Sequence, residues 1–228
     1  MNRLLTELQR LYAAPATAPA SGKQAAEGPA RAMLLELARP ADWDALGAVW
    51  RGVQADLELP APAIAVNGRD GYQLWFSLAD PVPAEQALAF LEGLRRRYLG
   101  GIAAQRLTLA PTAQELPPRQ LPSGLWSALL APDLAPVFAE EPWLDTEPGA
   151  EGQADLLCRI QSIKSAEFRA ALERLGPDTP APQADTVSAA PAPSADAGQD
   201  EPRRFLLGVM NDASVPLHLR IEAAKGLL

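Results

Sequence analysis

Cysteine and histidine are almost missing: the 228 residues hold one of each, Cys158 and His218. A lone thiol excludes an intrachain disulfide and any zinc site built on cysteines, and the sixty residues separating it from His218 argue against a Cys/His metal pair. No apolar run approaches the length of a membrane span. The opening MNRLLTELQRLYAAPA imitates a signal peptide, but Glu7, Gln9 and Arg10 interrupt its apolar centre. An amphipathic helix is expected there instead, in a soluble, cytoplasmic protein with no membrane partner. Also lacking are a Walker loop, since Gly68-Arg69-Asp70-Gly71 is not followed by Lys-Ser/Thr, and a G-x-S-x-G elbow. A Ser/His/Asp triad would have to recruit His218 from the tail.

A broad basic surface is lacking too. Net charge is −8, distributed as −1 over residues 1–100, −4 over 101–175, −5 over 176–201 and +2 over 202–228. Duplex binding wants a basic excess. Only the last segment and the triplet Arg95-Arg96-Arg97 offer one, and the triplet reads as a solvated helix end whose cations suit the helix dipole.

Proline, at 23 residues, is plentiful and unevenly placed. Residues 14–29 and 176–201 are rich in Pro and Ala and lack periodicity, so the first reads as a linker and the second as a disordered acidic linker. They separate an N-terminal helix (1–13), a folded domain (30–175) and a helical tail (202–228).

The domain is organised around PAIAVNGRDGYQLWFSLADPVP, residues 62–83. Two apolar runs flank Asn67-Gly68-Arg69-Asp70-Gly71, whose residue types tolerate the backbone of a tight reversal, so a β-hairpin is expected. Tyr72, Leu74, Phe76 and Leu78 should share one face of its second strand, and Gln73, Trp75 and Ser77 the other. Arg31 to Ala38 reads as a buried strand, and Asp42 as the cap of a helix reaching about Leu57. A second helix follows Pro83 and stops at Gly100-Gly101, and Arg106 to Ala110 is a short strand. The expected fold is therefore α+β: a βαββαβ (RRM/ferredoxin-like) antiparallel sheet of four strands with both helices on one face, plus additional C-terminal helices. Leu125 to Ala131 is ambiguous between strand and helix. Pro132 to Glu141 suggests a short helix, and Ala150 to Leu175 the longest helical pattern, with a restart at Ser165.

This order of elements, with PAIAVNGRDGYQLWFSL followed by DPVP and a helix, resembles the archaeo-eukaryotic primase–polymerase superfamily over about residues 31–111. It looks most like the divergent primase-like proteins of bacterial plasmids and prophages. Active members place an Asp-x-Asp pair on the first strand, a histidine on the hairpin strand and a third acid on a later strand. Acids two residues apart share a strand face, as two-metal chemistry requires. Here Glu36 stands alone between Leu34 and Ala38, Gln73 occupies the histidine position, and no acid follows Arg106 until Glu115. The resemblance thus implies a catalytically inactive primase-like protein, with no metal site and no cofactor. Arg69, Gln73 and Arg106 would line what remains of a nucleotide site, with Glu36 at its edge.

Trp75 has two readings: a base-stacking platform on an open sheet face, or a side chain packed beneath the apolar sequence that follows residue 124, which is favoured. Trp43, Trp50 and Trp126 read as core, and Trp143 as a surface anchor. The tail, RRFLLGVMNDASVPLHLRIEAAKGLL, resembles a short helical motif of phage-associated, small-terminase-like proteins. The first functional expectation is binding of single-stranded nucleic acid or a replication partner in a phage or plasmid replication or packaging system. The alternative is a protein–protein adaptor, with Phe205, Leu206, Val209, Leu217 and Ile221 entering a partner's groove.

Overall fold

Alternation along residues 72–78 divides the protein into two cores in the computed structural model, which describes residues 2–13, 29–112 and 115–176. The acidic linker beyond 176 and the tail, with Phe205, Leu206, Val209, Leu217 and Ile221, lie outside the described residues.

The hairpin forms as β2 (Ala63–Val66) and β3 (Gly71–Val82), with β1 (Ala30–Ala38) on the far side of β3. Asp42 caps α2 (Trp43–Ala55), its carboxylate accepting from the Ala45 N–H at 3.0 Å. After α3 (Ala84–Tyr98), a 3₁₀ turn over Ala104–Arg106 leads into β4 (Leu107–Ala110), which pairs with β1. The sheet does not end at four strands. Leu125 to Ala131 resolves as β6 (Trp126–Leu130), paired with β2 and with a two-residue β5 (Arg119–Gln120). The result is a mixed α/β fold on a six-stranded antiparallel sheet in the order β4-β1-β3-β2-β6-β5.

One sheet face carries Met33, Leu35, Leu37, Tyr72, Leu74, Phe76 and Leu78, buried beneath α2, α3 and a later helix, α5 (Ser165–Arg174). Phe90 of α3 joins the two layers, packing its ring edge-to-face on Phe76 at 5.5 Å and tilted against Phe168 of α5 at 5.3 Å. The other face carries Ala32, Ala65, Trp75 and Leu129 under α1 (Arg3–Tyr12) and α4 (Ala150–Cys158). The two crossover helices α2 and α3 share one face as expected, and α1 and α4 cover part of the other. The cause is apolar area: Trp75 and Leu129 point away from α2 and α3 and need a cover of their own.

Two further expectations change. Residues 132–141 form only a 3₁₀ turn at Ala135–Phe138. The long helical pattern at 150–175 is two helices, because Ile163 leaves the helix to bridge Leu78 in parallel. Its N–H bonds Ser77 O at 2.8 Å, and its carbonyl accepts the Ala79 N–H at 2.9 Å. Ser165 opens α5 as expected, and the Glu167 carboxylate accepts the Lys164 N–H at 3.0 Å to close the first turn. Gln153 of α4 has a role that no sequence pattern announces. Its buried amide bonds both the N–H (2.8 Å) and the carbonyl (3.1 Å) of Leu129, where β6 has outrun β5. Left unpaired, those backbone groups would cost about 1–3 kcal/mol.

Candidate functional site

Helices α1 and α4 cover only part of the second face. Beyond Trp75, toward the hairpin turn, the sheet is the floor of an open cleft of about 400 Å³. Leu34 and Glu36 of β1, Gln73 of β3, Ala110 of β4 and Ser127 of β6 border it from below. Register explains the grouping, since Glu36 stands directly opposite Gln73, and Leu34 opposite both Trp75 and Ala110.

The floor holds a directed chain of hydrogen bonds. Trp75 Nε1 donates to Gln73 Oε1 at 3.0 Å, and Gln73 Nε2 donates to Glu36 Oε2 at 2.6 Å. An indole can only donate and a carboxylate only accept, so the amide between them has one workable orientation. Gln73 is thereby fixed at both ends. Among the described residues Gln73 is the only hydrogen-bond partner of the Glu36 side chain, which leaves the rest of the carboxylate facing the cleft.

The rim is made by the turn. Asn67 Oδ1 accepts the N–H groups of Arg69 (2.8 Å), Asp70 (3.0 Å) and Gly71 (3.0 Å), so one side chain winds the loop around itself. Gly68 takes φ +80°, and a Cβ there would lie 2.5 Å from Leu121 Cδ1 and 2.9 Å from the Ser127 nitrogen. Only glycine suits that position. The turn presents Arg69 at the surface, where its guanidinium has no hydrogen-bond or ion-pair partner among the described residues. Arg119 also lines the cleft, paired with Glu115 at 2.8 Å; both side chains are exposed, so the pair is worth at most about 1 kcal/mol.

Four of the five residues singled out from sequence therefore meet here: Glu36, Arg69, Gln73 and Trp75. Arg106 does not. It binds the carbonyls of Ala38 (3.3 Å) and Pro40 (2.9 Å) and approaches Asp42 at 4.0 Å, fastening the turn after β1 instead of lining the cleft. Trp75 offers no stacking surface, being 1% exposed with its ring set edge-to-face against Tyr12 at 6.0 Å. Its packed reading holds, and only its N–H serves the floor. Arg96 and Arg97 reach the carbonyls of Leu175 and Arg174, so they tie α3 to the end of α5. Trp43, Trp50, Trp126 and Trp143 are all half-buried, with the first two packed on the main core. Sequence reasoning missed Arg119 and Ser127, because the short β5–β6 pairing that delivers them has no pattern of its own.

Elsewhere the shifted groups are Arg3, raised by its hydrogen bond to Asp155, and the three tyrosines. Burial pushes Tyr72 up to about 12. Burial raises Tyr12 as well, and raises Tyr98 with help from its hydrogen bond to Asp56. A phenol whose folded value exceeds its unfolded value of 10.0 adds stability that is complete below pH 10 and lost as pH climbs toward the folded value. Alkaline titration should therefore show tyrosinate appearing together with loss of the folded circular-dichroism signal. Ionisation of any tyrosine near pH 10 in the still-folded protein would contradict this packing. Among the described residues no three His, Cys, Asp or Glu side chains are grouped to hold a metal, and no helix is long and apolar enough to cross a membrane. No family model, curated protein or solved structure matches the chain.

Proposed function

We propose that the chain is a catalytically inactive, primase-like protein that binds single-stranded nucleic acid in the cleft over β1 and β3. One observation carries this reading: Glu36, Arg69, Gln73 and Trp75, drawn from two strands and the hairpin turn, border a single open cavity. The order β4-β1-β3-β2, with α2 and α3 as the crossovers, supports a ferredoxin-like core extended by β6 and β5 at the β2 edge. The floor argues against nucleotidyl transfer, because Glu36 has the apolar Leu34 and Ala38 as its same-face neighbours and so lacks the paired acid on its strand that two-metal chemistry uses. The resemblance of residues 202–228 to phage-associated motifs supports a setting in phage or plasmid replication or packaging.

Fluorescence anisotropy with a labelled single-stranded oligonucleotide at low and moderate salt tests the reading. Binding is expected at low salt. With Arg69 and Arg119 as the rim cations, the slope of log K against log salt should lie between about −0.7 and −1.4. Replacing Arg69 by alanine should weaken binding and flatten that slope by about 0.7. No binding at low salt would remove the proposal.

A further inference from the structure

The polar groups of the floor are unequally available. Gln73 Oε1 is engaged by Trp75, Asn67 Oδ1 by three backbone N–H groups, and Ser127 Oγ by the backbone of Arg119. On the strands, the open carboxylate is that of Glu36, which has Gln73 opposite it on β3, Thr108 opposite it on β4, and the apolar Leu34 two residues back on its own strand. Trp75 is buried, so stacking, the sequence-tolerant way of holding a base, is not on offer here. A base held in this cleft is held by its edge.

That edge must donate. Thymine and uracil set a single N–H between two carbonyls, which a carboxylate repels. Adenine and cytosine offer one amino group beside a ring acceptor. Guanine alone presents two adjacent donors, N1–H and the N2 amino group, which match a carboxylate in a bidentate, charge-assisted pair. Resting on the cleft being the nucleic-acid site, we propose that it selects guanine, with Glu36 accepting from N1–H and N2 and Arg69 meeting the adjoining phosphate. The cleft volume, about 400 Å³, is within the range of sites that enclose small ligands.

The test compares labelled thymidine pentamers carrying guanine, inosine or thymine at the centre, each titrated with the full chain. The guanine pentamer should bind about tenfold more tightly than all-thymine, with inosine, which lacks the N2 amino group, between them. In Glu36→Gln, which keeps the side-chain shape, the guanine-to-thymine ratio should fall toward one. Competition with dGMP distinguishes the source. Displacement as strong as that by the unlabelled pentamer assigns the site to a free guanine nucleotide, weaker displacement assigns it to a strand, and none at all overturns the proposal. Equal binding of all three pentamers overturns guanine selection and leaves the nucleic-acid reading standing. Binding of none removes both.

Discussion

Trp75→Ala is expected to lower the free energy of unfolding by about 3–5 kcal/mol, read from the urea or thermal transition. The indole is 1% exposed and fills the space between the sheet and Tyr12 of α1, in the cluster that α4 completes with Ala154 and Leu157. Truncation leaves a cavity that the β3 backbone cannot close, and removes an edge-to-face pair worth about 0.5–1.5 kcal/mol of the total. It also frees Gln73 Oε1, so the amide that holds Glu36 loses its second anchor. Trp75→Phe separates the two effects: it restores most of the packing but not the N–H. Trp143→Ala is the comparison, because that ring is only half-buried and its loss should cost much less. Equal destabilisation by Trp75→Ala and Trp143→Ala would mean that the second face is not closed by α1 and α4 as described.

Gly71→Ala should destabilise by about 1–3 kcal/mol and weaken ligand binding with it. Gly71 opens β3 directly opposite Ala38, the last residue of β1. A Cβ at that point would lie 2.7 Å from Ala38 Cβ and 2.7 Å from the Leu37 carbonyl oxygen. Neither neighbour is a flexible side-chain tip, so relief requires the strands to part. The strands that part are the ones that set Glu36 against Gln73 two residues further along. Gly101→Ala is the control, since nothing lies within 4 Å of its built Cβ. A stability change there should stay within about 0.5 kcal/mol. If Gly71→Ala were equally silent, the close approach of β1 and β3 would be wrong.

What could be read from sequence was what local chemistry decides. Asp42 announces α2 because a carboxylate before an apolar stripe has one obvious use, and Asn67-Gly68 announces the turn because few other residues tolerate it. Period-two alternation placed Tyr72, Leu74, Phe76 and Leu78 on the face opposite Gln73 and Trp75, and so put Gln73 on the same face as Glu36. What escaped was decided between distant segments. Nothing near Ile163 marks it as a bridge partner of Leu78, so the helix break there was readable only as a hint at Ser165. Gln153 looks like any polar helix residue until Leu129 is found beside it. Arg106 precedes β4, whose first residue pairs with Leu37 beside Glu36, but its guanidinium is taken up by the carbonyls of Ala38 and Pro40, a contact no local pattern announces.

The claim at the centre is that ligand meets the protein over β1 and β3, at the end of the sheet that α1 and α4 leave open. Titrating isotopically labelled protein with single-stranded DNA and following amide resonances tests it most directly. The Gln73 side-chain amide should shift, together with the backbone N–H signals of Glu36, Arg69 and Ser127, while the end of α3 at Arg95–Arg97 stays still. Shifts confined to Arg95–Arg97, with the Gln73 amide unmoved, would contradict the account.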